Sequence, residues 1–216
     1  MKAKYVIFDG MDGSGKGTQM DLLQKKLGDR VVFTREPGGT PFAEKIRMLV
    51  RDDPLAGEST ALNNFFLFWA AREELQHNLV MPTLQSGKPV FSDRGDSSTY
   101  AFQLWGEEHL ELLDMFGRMR DLVFDERHEP DLYIVFDLPA DVARARVMVD
   151  AARNRNHFDD RDLAYYERVR EGFIRFGRNL PVVFIDATWK PAEIHRKVLM
   201  TLAAEMIIPE LAFVID

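Results

Sequence analysis

Five short apolar segments, rich in β-branched and aromatic residues, alternate with longer stretches of helical periodicity along the chain. The segments cover residues 4–8, 30–33, 89–92, 132–137 and 181–185. Short continuous apolar runs of this kind are typical of strands that are buried on both faces. Strand and helix patterns that alternate in this way predict a parallel sheet with helices on both faces and right-handed crossovers. In such folds, ligands bind at the carboxyl ends of the strands, near a point where the strand order reverses.

A glycine-rich segment joins the first predicted strand to the first predicted helix. Residues 9–18 read DGMDGSGKGT, and Met20, Leu23 and Leu27 then share one helical face. Strand, glycine loop and helix form the context of a phosphate-binding loop, in which backbone amides and the helix N-terminus face the anion. Lys16 would reach the β- and γ-phosphates. The alternative, a glycine-rich turn beside a surface lysine, explains neither the spacing nor the flanking elements. The predicted ATP-binding residues are Gly10, Met11, Asp12, Gly13, Ser14, Gly15, Lys16, Gly17 and Thr18.

One position of this loop departs from the usual pattern. A Ser or Thr normally follows the lysine and binds Mg²⁺, whereas this chain has Gly17 there and the hydroxyl only on Thr18. We therefore expect the loop to hold phosphate as usual, and Mg²⁺ to depend more on water and on acidic residues elsewhere. The sequence GKGT also occurs in adenylate kinases, so the loop alone does not identify the substrate.

Composition narrows the class of protein further. The chain has 216 residues, which is enough for one sizeable α/β domain. Its net charge of −7 argues against a nucleic-acid polymer or an anionic membrane as partner. It contains no cysteine, so disulfides, thiolate zinc sites and cysteine nucleophiles are excluded. No signal peptide and no apolar run long enough to span a membrane is evident, and we expect a cytoplasmic protein.

Charged residues follow two of the predicted strands. Arg35 and Glu36 come after the second strand, before a Pro-Gly-Gly turn, and Asp93 and Arg94 come after the third. Glu36 would hold a water on Mg²⁺, bind a substrate hydroxyl or form a loop ion pair. Asp93 is the expected second anchor for Mg²⁺ and its waters, and Arg94 suits a phosphate.

Three predicted helices carry further candidates for a ligand site. Phe68 and Arg72 lie four residues apart, so they share one face of the helix. The ring of Phe68 would stack on a nucleobase, and the guanidinium of Arg72 would bind the edge of that base. A core phenylalanine beside a surface arginine is the alternative. Thr99 and Gln103 are also four residues apart, and we expect them to offer a hydroxyl and an amide toward the same cavity. Considered alone, Gln103 would suit a surface position. Arg47 would either point at a phosphate or be solvated.

Six motifs, taken together, resemble the thymidylate kinase family. They follow the order of that family along nearly the whole chain, and the combination of REPGGT with the DR…ST.A.Q segment is specific to it. The motifs are FDGMDGSGKGTQ (8–19), TREPGGTPFAEKIR (34–47), FLFWAAR (66–72), DRGDSSTYAFQ (93–103), PDLYIVFDLP (130–139) and FDDRDLAYYERVREGF (158–173).

The resemblance implies a fold, a reaction and an assembly. The fold would be a three-layer P-loop NTPase domain over residues 1–216, with a five-stranded parallel sheet and a short lid at about residues 150–162. The reaction would be ATP-dependent phosphorylation of dTMP to dTDP, with Mg²⁺ as cofactor. The protein would be a homodimer.

The resemblance also implies roles for individual residues. Phe68 would stack on thymine, Arg72 would bind the edge of the base, and Thr99 and Gln103 would read the rest of it. Asp12 would lie near the sugar 3′-hydroxyl and, with Asp93, near the metal. The implied dTMP-binding residues are Glu36, Arg47, Phe68, Arg72, Arg94, Thr99 and Gln103, and the implied catalytic residues are Lys16, Arg94, Asp12, Glu36, Arg153 and Arg155.

The thymidylate kinase family has two designs for the catalytic arginine. One design places it in the phosphate loop, and the other places it in the lid. The phosphate loop of this chain has Gly13 and Ser14 but no arginine, whereas the lid has Arg153 and Arg155, as in the bacterial-type design. Either would act as an internal arginine finger. The chain departs from the family pattern at Gly17, Gly95, Leu104 and residues 156–159. Residues 207–216 match no motif, and we expect an extra strand or a subunit contact there.

Two other functions compete with this interpretation. One is another nucleoside monophosphate kinase with a different base preference, as GKGT allows. The other is a nucleotide-binding module without phosphotransfer. A GTPase switch would need an Asn-Lys-x-Asp guanine reader, which the chain lacks, and a binding module has no need of a second, acceptor-side set of residues.

Overall fold

A five-stranded parallel sheet is the centre of the computed structural model, which describes residues 2–124, 128–149, 161–178 and 180–208. The sheet has the order β2-β3-β1-β4-β5. All neighbouring strands pair in parallel. The predicted three-layer α/β fold and all five predicted strands are thereby confirmed, with small shifts at the strand ends. The strands are β1 (Tyr5–Gly10), β2 (Val32–Arg35), β3 (Val90–Asp93), β4 (Leu132–Asp137) and β5 (Val182–Asp186).

The central strand, β1, is buried along its whole length and marks the point where the strand order reverses. β2 and β3 lie on one side of it, and β4 and β5 lie on the other. The register pairs Phe8 with Asp93 of β3 and Gly10 with Phe136 of β4. The carboxyl ends of the three central strands therefore meet at one edge, where ligands bind in folds of this kind.

Helices connect the strands, and two of them change their winding. α3 passes through a π-helical turn at Gln76–Val80 into α4, and α5 continues as a π-helix at Thr99–Gly106. Short 3₁₀ turns lie at Gly28–Arg30, Ala56–Glu58 and Leu110–Leu112. The helices are α1 (Lys16–Leu27), α2 (Pro41–Arg51), α3 (Ala61–Leu75), α4 (Met81–Gln85), α5 (Asp96–Ser98), α6 (Leu113–Val123), α7 (Ala140–Val149), α8 (Leu163–Phe176) and α9 (Pro191–Ala204).

The two faces of the sheet are covered by different helices because successive side chains of a strand point in opposite directions. Ile7 belongs to a core cluster with Phe65 and Trp69 of α3. Phe8 belongs to another with Leu23 of α1. The alternation along β1 therefore confirms helices on both faces.

Glycine allows the π-helix and α8 to approach each other closely. A Cβ on Gly172 would lie 2.8 Å from the Cα of Ala101, and a Cβ on Gly106 would lie 2.8 Å from the ring of Tyr165. Contacts this short leave no space for a methyl group. The approach fixes the position of the π-helix, which carries Thr99 and Gln103.

The remaining sequence predictions concern connecting and terminal segments. The predicted surface loop at residues 51–59 lies between α2 and α3, as expected. The predicted lid at residues 150–162 lies outside the described residues, except for 161 and 162, and so does the tail from 209 to 216. Ile207 and Ile208 are described and join the core cluster that contains α9. In the described ranges, no helix is both long and apolar enough to cross a membrane.

We expect Gly172→Ala to lower the free energy of unfolding by about 1–3 kcal/mol, because the added methyl group would overlap the backbone of the π-helix. Gly117→Ala in α6 is the matched control, since a Cβ there would meet nothing within 4 Å. Removing a helical glycine at an open position stabilises a protein by roughly 0.5–1 kcal/mol. Urea unfolding of both variants measures the difference, and equal effects at the two positions would contradict the close approach.

Candidate active site

The glycine loop wraps the N-terminus of α1 at the carboxyl end of β1. Gly13 and Gly15 both have φ of 82°, in the left-handed region that favours glycine. A Cβ on Gly13 would also lie 2.7 Å from the carbonyl oxygen of Ala143. Residues 11–18 line a cleft of about 560 Å³ together with Arg146, Val147 and Val149 of α7. The loop thus has the shape and the amide donors that a polyphosphate requires.

Lys16 points across the sheet edge and forms an ion pair with Asp93 at the end of β3. Burial acts to raise the pKa of Asp93, but the charges of Lys16 and Arg94 lower it below its ordinary value. Asp93 is therefore held ionised beside the loop. The sequence predicted both residues at this edge of the sheet, but not the ion pair between them.

Arg94 connects the end of β3 to the end of β1. Its Nη2 donates to Asp12 at 2.6 Å, and its Nη1 donates to Ser98 at 2.9 Å and to Asp9 at 3.3 Å. Its backbone has φ of 72°, a strained conformation that persists in proteins only where the surroundings hold it. Burial opposes the charge, but Asp12, Asp9 and Asp93 together raise the pKa of Arg94. The guanidinium therefore stays charged at the predicted site of phosphoryl transfer.

Asp9 is a site residue that sequence reasoning missed. It is fully buried and accepts hydrogen bonds from the hydroxyls of Ser97 at 2.6 Å and Ser98 at 2.8 Å, and from the amide of Gly10 at 2.8 Å. Burial raises the pKa of Asp9, and the charge of Arg94 acts in the opposite direction. The available signal was an acid at the carboxyl end of an apolar strand, directly before the loop.

A second cavity, of about 320 Å³, opens on the other side of Lys16 and Asp93. The structure brings all seven predicted acceptor residues to it, although they come from five different segments. Phe102 and Tyr165, which were not singled out from the sequence, also line it. The predicted residues are Glu36, Arg47, Phe68, Arg72, Arg94, Thr99 and Gln103.

Arg72 is the buried centre of this cavity. Its Nε donates to Glu36 at 2.7 Å, its Nη2 donates to Thr99 at 3.0 Å, and its guanidinium lies 4.3 Å from the ring centroid of Trp69. Arg72 is only 2% exposed and Glu36 only 5%. Glu36 forms an ion pair with Arg72 of α3 rather than the ion pair within its own loop that was one of the alternatives. Burial raises the pKa of Glu36 to about 7, because the charge of Arg72 offsets the loss of solvation only in part.

Three buried polar atoms of this cavity have no hydrogen-bond partner. They are Nη1 of Arg72, Oε1 of Glu36 and Oε1 of Gln103. Buried polar groups are nearly always paired, so a cluster of unpaired ones requires an explanation. A ligand with complementary donors and acceptors would satisfy them.

The winding of the helix that carries Thr99 and Gln103 differs from the sequence expectation. The two residues lie on a π-helix, with i→i+5 hydrogen bonds, rather than on an α-helix. Residues four apart still lie near one face of a π-helix, and both line the cavity. The expectation that they share a cavity is confirmed, whereas the helix type was not readable from local residue preferences.

Arg47 lies at the mouth of the cavity, half-buried. Its Nη1 donates to the carbonyl of Pro37 at 2.9 Å. Burial, followed by the charges of Arg51 and Arg35, lowers the pKa of Arg47 to about 10. Arg47 and Arg51 both line the cavity, and their positive charges suit an anion there.

The described residues contain no cluster of three or more His, Cys, Asp or Glu side chains that would hold a metal by themselves. Mg²⁺ in phosphoryl-transfer sites takes one or two carboxylates and completes its shell with phosphate oxygens and water. Asp93 and Asp12, which line the same cavity as Lys16, fit that smaller requirement. A Cβ on Gly17 would meet nothing within 4 Å, so space does not exclude a larger residue there.

Gly95 and Leu104, which also depart from the family pattern, both lie against the protein core. A Cβ on Gly95 would lie 2.3 Å from Cδ1 of Ile7, and Leu104 is fully buried in the core.

Glu107 lines the acceptor cavity and accepts from Arg161 at 3.0 Å. Arg146, also missed, donates to the carbonyls of Gly13 at 3.1 Å and Ala187 at 3.3 Å. Arg153, Arg155 and residues 156–159 lie outside the described residues.

This chain is similar to known thymidylate kinases in sequence and in fold. The family model described as thymidylate kinase matches residues 8–198. The thymidylate kinase of Cupriavidus taiwanensis is 35% identical over 94% of this chain and 100% of the relative. That of Shewanella loihica is 32% identical over 93% and 95%. The crystal structure of thymidylate kinase from Ehrlichia chaffeensis superposes with a TM-score of 0.71 at 28% identity, covering 94% of this chain and 99% of the other.

The pKa of Glu36 predicts how stability changes with pH. Because its folded-state value is about 7 against an ordinary 4.5, the folded protein binds more protons than the unfolded chain between those values. The contribution of Glu36 to stability therefore falls as pH rises from about 4.5 to 7. We expect Glu36→Gln to remove this loss, so that the variant gains on the order of 2 kcal/mol relative to wild type between pH 5 and 8.

Chemical unfolding across this pH range measures the gain. Glu58→Gln is the control, because Glu58 is exposed and this variant loses a carboxylate that is not buried. Parallel pH profiles of wild type and Glu36→Gln would show that Glu36 does not titrate in this way.

Proposed function

This chain belongs to the thymidylate kinase family, and on that basis we propose how its described residues carry out the reaction. The protein is a phosphotransferase that converts dTMP to dTDP with ATP as co-substrate. The observation that carries the residue assignment is the pair of cavities that share Asp12 and Lys16 at one sheet edge. Two nucleotides bound there face each other across the Lys16–Asp93 pair.

The glycine loop holds the phosphates of ATP in this proposal, and the acceptor cavity holds dTMP. A phosphate oxygen of dTMP attacks the γ-phosphorus in line, the bond to the β-phosphate oxygen breaks, and ADP leaves. No covalent enzyme intermediate is needed. Lys16 and Arg94 neutralise the repulsion between the two anions, and the fixed cavities align them. Arg47 attracts the acceptor phosphate at the mouth.

The unpaired atoms of the acceptor cavity explain the choice of base. Thymine presents a carbonyl acceptor at O4 and a donor at N3–H, and these match Nη1 of Arg72 and Oε1 of Gln103. Cytosine presents an amino donor in place of the O4 acceptor, and this donor would face the N–H donor of Arg72, which has no acceptor to offer. The ring of Phe68 lines the same cavity and would stack on the base. A mismatched base leaves buried groups unpaired, which is a strong basis for rejection.

We also propose that Asp93 and Asp12 hold Mg²⁺, in part through water. When bound, the ion would neutralise charge on the β- and γ-phosphates. Gly17 offers no hydroxyl, so in this proposal the two carboxylates take the place of that ligand. Either Arg153 or Arg155 would supply a further positive charge from the lid, as the sequence pattern indicates.

A homodimer through α3 and α6 is the assembly we propose. The two helices pack together through Trp69 and Phe116, whose ring centroids are 5.5 Å apart. Five large apolar side chains are exposed on these helices, those of Leu62, Phe66, Leu113, Met115 and Leu122. Burying such residues against a second copy would remove apolar area from water. The single-domain organisation and the cytoplasmic location stay predictions from the sequence.

We expect Arg72→Ala to raise the KM for dTMP by about 10- to 100-fold, because a charged, buried hydrogen bond to the base is lost. The KM for ATP should change less than twofold. Arg72→Lys, which keeps a positive charge beside Glu36, should show the same selectivity and guards against misfolding. The assay couples ADP production to dTMP, dUMP and dCMP in turn, and wild type should reject dCMP.

Lys16→Ala is the matched donor-side variant and should lower turnover by at least about 100-fold. If Arg72→Ala weakened dTMP and ATP equally, Arg72 would not read the acceptor base. If wild type used dCMP as well as dTMP, the proposed match to thymine would be wrong.

For the assembly, we expect Phe66→Glu to convert the dimer to a monomer in analytical ultracentrifugation, because it would bury two charges at the contact. Phe42→Glu in α2 is the control, since Phe42 is also exposed but lies outside the α3–α6 surface. A dimer that survives Phe66→Glu would place the contact elsewhere.

A further inference from the structure

Asp96 lies within the segment that carries the acceptor-site residues, yet it does not line the acceptor cavity. It begins α5, two residues after Arg94 and three before Thr99. It is fully buried. Its carboxylate binds side chains from two other elements, Arg120 of α6 and Tyr133 of β4.

These three side chains form a closed set of hydrogen bonds. Arg120 donates through Nε to Oδ2 of Asp96 at 2.6 Å, and the Tyr133 hydroxyl donates to Oδ1 at 2.9 Å. Arg120 also donates through Nη2 to the Tyr133 hydroxyl at 3.1 Å. Burial, followed by the charge of Asp96, raises the pKa of Tyr133 well above its ordinary value, so the hydroxyl keeps its proton and remains a donor.

We propose that Arg120 and Tyr133 are positioning residues for phosphoryl transfer, which act through Asp96 to hold the segment from Arg94 to Thr99 in its productive geometry. This inference rests on the proposed assignment of the acceptor site. It adds two residues, from α6 and β4, that touch neither substrate.

The two ends of this segment make contacts on which the acceptor site depends. At one end, Arg94 donates to Asp12 at 2.6 Å, and at the other, Thr99 accepts from Arg72 at 3.0 Å. Asp9 of β1 holds Ser97 and Ser98 between them. Asp96 supplies a second anchor, from α6 and β4. A segment held by two anchors cannot rotate about either one.

The backbone of Arg94 gives a reason why a second anchor is needed. A non-glycine residue at φ of 72° is strained and relaxes unless its neighbours hold it. On the preceding side, the Arg94 amide donates to the carbonyl of Phe8 at 2.8 Å. On the following side, Asp96 is the nearest residue with a buried ionic anchor. Releasing it would allow Arg94 to relax and move its guanidinium.

Net stability alone does not account for this arrangement. A buried ion pair often adds little compared with apolar side chains of similar volume, because desolvation offsets the attraction. What it does provide is a defined direction, since the guanidinium fork binds both the carboxylate and the hydroxyl. The fork is directed at the segment that carries Arg94 and Thr99.

The test uses two conservative variants of the full chain, Arg120→Lys and Tyr133→Phe. Lysine keeps the charge but lacks the fork, and phenylalanine keeps the ring but lacks the donor. We expect each to weaken dTMP binding by roughly tenfold in calorimetric titration, because a small misplacement of aligned groups has a large effect. ATP binding should change less than twofold, and one dTMP should still bind per active site.

The double variant Arg120→Lys/Tyr133→Phe supplies a second measurement. Because both residues act through Asp96, the double variant should bind dTMP about as weakly as the worse single variant, rather than with the product of the two losses. Lys4→Met is the control. Lys4 pairs with Asp131 at 2.9 Å, at the opposite end of β1, and its loss should leave dTMP binding unchanged.

Three outcomes would overturn the inference. They are unchanged dTMP affinity in both single variants, equal weakening of dTMP and ATP, and a reduced number of binding sites at unchanged affinity, which indicates partial misfolding. Arg72→Lys in the same titration separates this failure from failure of the site assignment. If Arg72→Lys binds dTMP normally, the acceptor site itself is misassigned, whereas a defect confined to Arg72→Lys rejects only the role of Arg120 and Tyr133.

Discussion

The partly buried guanidinium of Arg94 joins the glycine loop to the segment that follows β3. It lies between Asp12 in the glycine loop and Asp9 at the end of β1, while its own backbone belongs to the end of β3. Removing a charge from water is costly unless opposite charges and hydrogen bonds replace the solvent. The carboxylates supply that replacement. The same contacts bring the phosphate loop and the acceptor segment together at one sheet edge, so the relative position of the two cavities depends on them.

The same constraint explains how a protein of net charge −7 concentrates cations at one site. Lys16 pairs with Asp93, Arg72 with Glu36 and Arg94 with Asp12. Each cation thus has a carboxylate partner that holds its side chain in place before any substrate arrives. Phosphate groups approach a site whose positive charges are already oriented, which lowers the reorganisation needed during transfer. The acceptor-side pair is buried most deeply, and this is why Glu36 titrates near neutral pH.

Preorganisation also applies to the hydrogen-bonding atoms of the acceptor cavity. Arg72 uses Nε and Nη2 for Glu36 and Thr99 and leaves Nη1 unpaired, and Oε1 of Gln103 in the same cavity is unpaired too. Two of the three guanidinium nitrogens therefore fix the third in space. Asp96 does not line the cavity, but its contacts with Arg120 and Tyr133 join the acceptor segment to α6 and β4. The positions of the atoms that face the ligand are thus set by contacts that do not involve it.

Local patterns in the sequence determined the five strands, their parallel arrangement and the glycine loop, because apolar runs and glycine spacing act over a few residues. They left Phe68, Arg72 and Gln103 undecided, since a ring and an arginine four residues apart suit a core as well as a binding site. Only the tertiary structure brings the three side chains to one cavity. Glu36 lies 36 residues from Arg72. Asp9 lies 88 residues from Ser97. Such contacts arise from strand order and helix packing, which no local pattern encodes. The π-helical winding at Thr99–Gly106, which packs closely against α8, was likewise not readable from the local sequence.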